Sequence, residues 1–294
     1  MRIENFQNIL VPIDFSENSL IALDHAVYLA KHLKSDIILL HVHETQNLSS
    51  TLRKIMFAHP SDEVTLDKSV EEKLDEIAIS LQNKVGIKVK THKAKGRIST
   101  QITKTAVDLD ADLIVMGTHG TSGMESFIAG SNTFSVVASA PCPVISIMAS
   151  SGSKGIKDIV LPLDNSRETR QKVDEAIVFA RFFSSTIHIV GVTTSNDPKD
   201  HFYVNKVCEQ VEKYIKEESV PCTRKFFSGD NITVMTINYA KEIDADLIVI
   251  MTEQEVNPTG FFMGPYAQQM INQSEMPVLN IRPKEREVSF VMPY

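Results

Sequence analysis

The chain has 294 residues, about twice the roughly 150 of an ordinary domain, so one small domain is excluded and two sizeable cores are expected. Charged residues make up 23% and hydrophobic ones 43%, while 12 Gly and 12 Pro are too few for a collagenous or low-complexity chain. The net charge of −7 divides as 14 Lys+Arg against 17 Asp+Glu over residues 1–150 and 16 against 20 over the rest, so neither half has the basic excess that nucleic acid or an anionic membrane surface selects.

In chain order, the apolar run at residues 9–13 predicts a first strand. Ser16 can then cap a helix whose Leu20, Leu23, Val27, Ala30 and Leu33 recur at helical spacing. A second strand is expected at residues 37–42. Residues 45–60, with Leu52, Ile55, Met56 and Phe57, read as an insert packed beside the core, with a lid or partner surface as the alternative. A long helix at about 62–84 turns Val64, Val70, Leu74, Ile77 and Leu81 inward, and a third strand lies at about 87–94. A helix near 99–109, a strand at 113–116, a helix starting around Ser131 and stopped by Pro141, and a strand at 144–147 complete the first half. Strands alternating with helices, and mostly apolar throughout, indicate a parallel sheet covered on both faces.

The sequence is then written a second time. Residues 8–42 align without a gap to 158–192 at an offset of 150, matching Pro12 with Pro162, Asp14 with Asp164, Ser16 with Ser166, Ala26 with Ala176 and Ala30 with Ala180. Residues 110–117 match 244–251 and 143–147 match 277–281, both at an offset of 134. Units this long are complete domains rather than solenoid repeats, which predicts domains at 1–150 and 154–294 with the Ser/Gly-rich residues 150–155 as the joint. The last strand of each unit is apolar and would leave an unpaired sheet edge if the two domains were independent. The N-terminal residues lack a signal-peptide layout and no apolar run approaches the ~18 residues of a membrane span, so a cytoplasmic location is expected. Cys142, Cys208 and Cys222 have no C-x-x-C spacing, and reduced thiols are expected.

In open α/β sheets a ligand lies beyond the carboxyl ends of the strands, where the strand order reverses. Two segments occupy such ends: Pro12-Ile13-Asp14-Phe15-Ser16 and Met116-Gly117-Thr118-His119-Gly120, the latter followed by Gly130-Ser131-Asn132 at a helix start. Glycines admit a bulky anion and a helix start offers free N–H groups, so a phosphate site is physically reasonable. The second copy reads Met251-x-x-Gln254 and then Gly264-Pro265, which shows that the fold does not require Gly117 or Gly120. The phosphate-loop and dinucleotide motifs G-x-x-x-x-G-K-[ST] and G-x-G-x-x-G are absent, and no Lys or Arg occurs from residue 105 to 153. Backbone N–H groups, hydroxyls and a phosphate-borne Mg²⁺ must then carry the negative charge, and rapid phosphoryl transfer is not expected.

The V-P-I-D-x-S run, the L-L-H-V strand, and Gly117-x2-Gly120-x9-Gly130-Ser131 followed by P-C-P-V-I-S-I resemble the universal stress protein family in its tandem two-domain form, over nearly the whole chain. The resemblance implies two doubly wound, five-stranded parallel-sheet α/β domains, Rossmann-like and adenine-nucleotide α-hydrolase-like, packed as a pseudo-twofold pair. It further implies ATP in the first domain and a degenerate motif in the second. On that resemblance Asp14 meets the ribose or adenine side, Pro12, Val42 and Met116 wall the adenine, and Gly117, His119, Gly120, Gly130, Ser131 and Asn132 hold ribose and phosphates. Phe134-Ser135 departs from the charged residues that the family often shows there.

Two other constellations have structural explanations. His41 and His43 face one side of a strand but lack a third ligand, so satisfied histidines are expected rather than a metal pair. Asp110 with Asp112, and Asp244 with Asp246, precede strands at the edge opposite the crevice and should shape turns. The function expected is an ATP-binding stress-response regulator with an unknown protein partner, with homodimerisation left open. Two alternatives stand beside it: a slow ATPase or self-phosphorylating protein using Ser131 or Thr133, and a scaffold whose second domain binds a protein or apolar small molecule.

Overall fold

A computed structural model describes residues 6–44, 60–118, 130–151, 155–166, 168–252, 254–257 and 260–283. The first half runs β1 (Asn8–Pro12), α1 (Glu17–Leu33), β2 (Asp36–His43), α2 (Pro60–Val85), β3 (Val89–Lys95), α3 (Ile98–Asp108), β4 (Leu113–Gly117), α4 (Ser131–Ser139) and β5 (Val144–Ile147). The second half follows with β6 (Asp158–Leu163), α5 (Val173–Phe183), β7 (Thr186–Thr193), α6 (Pro198–Glu217), β8 (Cys222–Ser228), α7 (Ile232–Glu242), β9 (Leu247–Met251), β10 (Gln254–Asn257), β11 (Gly260–Met263), α8 (Pro265–Gln273) and β12 (Val278–Ile281).

Ten strands form one sheet in the order β3-β2-β1-β4-β5-β12-β9-β6-β7-β8. Pairing is parallel within each half, and the order reverses between β1 and β4 and again between β6 and β9. The halves meet where β12 runs antiparallel to β5, Val278 opposite Ser146 and Leu279 opposite Ile145. This is the pseudo-twofold pairing that the family resemblance implies, and it closes the edge that each final strand would otherwise leave open. Ser146 and Asn280 occupy equivalent positions of the two strands, and they make the seam's side-chain hydrogen bonds: Asn280 Nδ2 donates to the Val144 carbonyl at 3.0 Å, to Ser146 Oγ at 3.1 Å and to the Val278 carbonyl at 2.8 Å.

Alternation along the strands sends side chains to two cores, and each core spans both halves. Ile9 and Val11 join Leu74, Phe179 and Val207 on the face covered by α1, α2, α5 and α6. Leu10 joins Ile102, Val136, Ile237 and Met270 on the face covered by α3, α4, α7 and α8. Aromatic contacts also bridge the halves: Phe6 meets Phe179 edge to face at 5.3 Å, and Tyr28 stacks on Phe183 at 5.8 Å.

The local chemistry follows the sequence closely. Ser16 Oγ accepts from the Ser19 N–H, capping α1, and the chain leaves the helix through Lys34 at φ 58°. Ala140 is extended ahead of Pro141, which ends α4. Asp112 and Asp246 accept paired N–H groups from Gln7 and Asn8 and from Lys157 and Asp158, fastening the turns before β4 and β9 to the starts of β1 and β6. Leu20 corrects the expected stripe of α1: it is 41% exposed, because the buried face runs through Ser19, Ala22, Leu23, Ala26, Leu29, Ala30 and Leu33. The hairpin β10–β11 also has no counterpart in the expected elements; it lies where the sequence aligns with residues 120–129, and β11 packs against α4 of the first half. The insert at 45–60 lies almost entirely outside the described residues.

Leu279 is fully buried at the seam, so Leu279→Lys should destabilise the fold by roughly 3–5 kcal/mol, the scale of an uncompensated buried charge. Urea unfolding measures the loss, and small-angle scattering of any folded remainder should show an expanded particle. A wild-type midpoint and radius would contradict the seam.

Candidate functional site

The carboxyl ends of β1 and β4 open onto a cavity of about 270 Å³ at the first switch point. Pro12, Asp14, Val42, Met116, Gly117, Gly130, Ser131 and Asn132 all line it, so the structure brings together eight of the ten residues singled out by sequence. His119 and Gly120 lie outside the described residues. Sequence reasoning did not single out Leu40, Ile98 and Ile102, which extend the apolar wall, or Glu44, which adds a carboxylate. Their signal is the helical and strand periodicity itself, which marks them as core. A second cavity of about 330 Å³ lies between the halves, near the start of β9, and it is lined by His25, Tyr28 and Asp246 rather than by a helix start.

Each wall is built from the backbone upward. Asp14 Oδ1 accepts from the Ser16 N–H at 3.0 Å and from Ser16 Oγ at 2.5 Å, which holds the carboxylate at the turn after β1. That turn passes through Phe15 at φ 63°, a left-handed conformation uncommon for an aromatic residue. The Phe15 ring stacks on His41 at 5.2 Å, and His41 Nδ1 lies 2.8 Å from the Ile13 carbonyl. Burial holds His41 below the usual histidine range, although the Ile13 carbonyl pulls in the other direction. His41 is thus a satisfied neutral imidazole, and no cluster of three metal-ligating side chains occurs among the described residues.

Glycines shape the opposite wall. A Cβ at Gly117 would stand 3.0 Å from the Asn18 carbonyl oxygen, so a side chain there would crowd the first turn of α1 and oblige it to give. At Gly130 a Cβ would meet, among the described residues, the Thr118 carbonyl oxygen at 3.6 Å, an ordinary contact. Gly130 precedes α4 without a side-chain cap, and the first N–H groups of a helix have no intrahelical acceptor. Thr133 is 3% exposed, and its hydroxyl is placed to donate to the Gly117 carbonyl at 3.2 Å or the Thr118 carbonyl at 3.3 Å, which commits it to holding the turn. The described lining contains Asp14 and Glu44 and no Lys or Arg.

The second half rebuilds the same place. Met251 stands where Gly117 does and is 6% exposed; Pro265 and Tyr266 replace Ser131 and Asn132. Residue 167 is the counterpart of Glu17, yet α5 begins only at Val173, consistent with the crowding that a side chain at the glycine position brings to the first helical turn. Residues 168–172 instead form turns in which Thr169 Oγ1 accepts from the Asp164 N–H. Lys172 replaces Ala22 and is buried. Burial lowers its amine to about 8, against the opposing pull of Asp164. Asp164 is pushed up by its own burial, but Lys172 and the hydrogen bonds from Ser166 outweigh this and hold it below the usual carboxylate range.

The unfolded Lys172 keeps its proton to about 10.5 and the folded one releases it near 8, so the unfolded state binds more protons in between. Stability should therefore rise with pH across that window, by on the order of 1–3 kcal/mol. Urea unfolding at pH 7.5 and 10 should show this gain in the wild type and its loss in Lys172→Met. Equal pH responses of the two proteins would contradict the assignment.

Comparison with known proteins places this architecture. The sequence profile of the universal stress protein family matches residues 5–147 and again 155–282. The universal stress protein MJ0577 of Methanocaldococcus jannaschii is 33% identical over 156 residues, covering 48% of this chain and 93% of that protein. The universal stress protein YxiE of Bacillus subtilis is 33% identical over 144 residues, covering 48% of this chain and 97% of that protein. Among solved structures, a universal stress protein from Archaeoglobus fulgidus superposes with a TM-score of 0.76 over 94% of this chain and 98% of its own, at 21% identity, which is a likeness of fold. No helix among the described residues is long and apolar enough to cross a membrane. The chain belongs to the universal stress protein family, in a form that carries the family unit twice.

Proposed function

We propose that the first unit, residues 1–150, binds one ATP as a regulatory ligand, with Mg²⁺ carried on its phosphates, and that the second unit, residues 154–294, binds none. The observation that carries this reading is the difference between two copies of one fold: a cavity framed by Gly117, Gly130 and the uncapped start of α4 in the first, and Met251, Pro265 and Tyr266 at the same positions in the second. Apolar walls at Pro12, Val42 and Met116 suit a purine, and the Asp14 carboxylate suits a ribose hydroxyl. Phosphates at the start of α4 meet the N–H groups and dipole of a helix beside glycines that leave the backbone open. His119 and Gly120 belong to the same proposal as further ribose and phosphate contacts.

The electrostatics support a metal-bearing ligand. Two carboxylates line the described cavity and residues 105–153 contain no Lys or Arg, so a bare triphosphate would meet negative charge without a compensating side chain. A Mg²⁺ supplies that compensation by binding the phosphates themselves. The same shortage of cations leaves developing charge in a phosphoryl-transfer transition state without a protein clamp. Retention rather than turnover follows. Within a self-phosphorylating reading, the commitment of Thr133 to the turn leaves Ser131 as the acceptor of the two named by sequence.

Titration calorimetry should find one MgATP per chain and markedly weaker binding when Mg²⁺ is chelated. Gly130→Val should weaken binding at least tenfold, about 1.4 kcal/mol, with little change in unfolding midpoint, because the nearest described atom stands at an ordinary 3.6 Å from the added Cβ. Two equivalent sites, or full affinity in the variant, would contradict the proposal. Hydrolysis should be far slower than the ~1–100 s⁻¹ of dedicated kinases. Turnover in that range, copurifying with the protein and lost in Gly130→Val, would overturn the regulatory reading.

A further inference from the structure

The second half carries a polar chain that the repeat does not need. Along β7, His188 occupies the position of Ile38, which is 1% exposed in the other apolar core; Asp158 stands for Asn8, and Thr223, opposite His188 on β8, stands for Lys90, opposite Ile38 on β3. His188 Nε2 lies 2.7 Å from Asp158 Oδ1, and its Nδ1 lies 2.9 Å from Thr223 Oγ1. An ionised carboxylate only accepts, so the Nε2 hydrogen points to Asp158 and the Nδ1 lone pair points to the Thr223 hydroxyl. The imidazole is half-buried and held from below by the edge of Tyr239, whereas Thr223 is exposed on the outermost strand of the sheet. Lys225, two residues along β8 and so on the same face as Thr223, rests its ammonium 4.7 Å over the Tyr239 ring and 3.1 Å from Glu242 Oε1.

We propose that Asp158, His188 and Thr223 form a carboxylate–imidazole–hydroxyl relay that makes Thr223 a nucleophile toward activated carboxylic esters. The arrangement has the three roles of acyl-transfer triads: an exposed hydroxyl, a base within hydrogen-bond reach, and a carboxylate that fixes the base's tautomer. Thr223 Oγ1 attacks the ester carbonyl carbon as its proton passes to His188 Nδ1. The bond from that carbon to the leaving oxygen then breaks, and the leaving alcohol takes the proton from His188. The acyl group ends on Thr223 and no electrons are exchanged with an oxidant. The Tyr239 hydroxyl, 3.4 Å from His188 Nδ1, faces the base beside Thr223, and Lys225 over the Tyr239 ring is the cation on the same face of β8.

The test uses the full chain and p-nitrophenyl acetate. The account expects a burst of p-nitrophenolate approaching one per chain, with peptide mapping placing the acetyl group on Thr223. Thr223→Val should abolish that label. His188→Ile, which installs the residue of the first half, should slow its appearance by about 10²-fold or more. Urea midpoints and MgATP titration verify that each variant is folded. No burst, acetylation confined to lysines, or equal Thr223 labelling in folded His188→Ile would overturn the proposal.

Discussion

The antiparallel pairing of β5 with β12 is the constraint on which the molecule depends. Each half taken alone would end in a fully buried, mostly apolar strand with an open row of N–H and C=O groups, a template for association with other chains. Joined, the two edges satisfy each other, and both cores become continuous across the seam. The polar pair at the seam is heterotypic. Asn280 donates across to Ser146 at 3.1 Å. A rigid ten-stranded sheet then fixes the two switch points on opposite sides of the seam, each framed by its own loops.

Duplication separates what the fold requires from what a site requires. Both halves keep the turn after the first strand, with Asp14 and Asp164 each gripping a serine two residues on. They differ where a ligand would come closest to backbone. Gly117 stands where α1 passes close to β4; Met251 takes its place in the second half, whose first helix begins only at Val173. Lys172 then sits inside the second half against Asp164, an internal cation in a place where the first half has alanine. The second half thus differs from the first in helix length, turn chemistry and buried charge together while keeping the same sheet.

Much of this was legible in the sequence because it rests on local rules. Strand positions followed from apolar runs, the start of α1 from Ser16, and the end of α4 from Pro141, while the seam followed from the family resemblance. The clustering of Pro12, Asp14, Val42, Met116, Gly117, Gly130, Ser131 and Asn132 on one wall follows from strand order, which the alternation of elements implies. Other features depend on three-dimensional competition. Ser19 is buried in place of Leu20, and α5 starts late in the half where Met251, far away in sequence, replaces a glycine. The hairpin β10–β11 was hidden because its residues align with the glycine-bearing residues 120–129 and find each other as pairing partners only in the fold. The relay at His188 was hidden for the same reason: its three members come from three strands.

The central claim is that the two halves share a fold but not a site. Native mass spectrometry of the protein as purified, in Mg²⁺-containing buffer saturated with ATP, counts ligands on each intact chain. The account predicts a single added mass of one MgATP per chain, with no second binding step at higher nucleotide. Two MgATP per chain, or none, would contradict it.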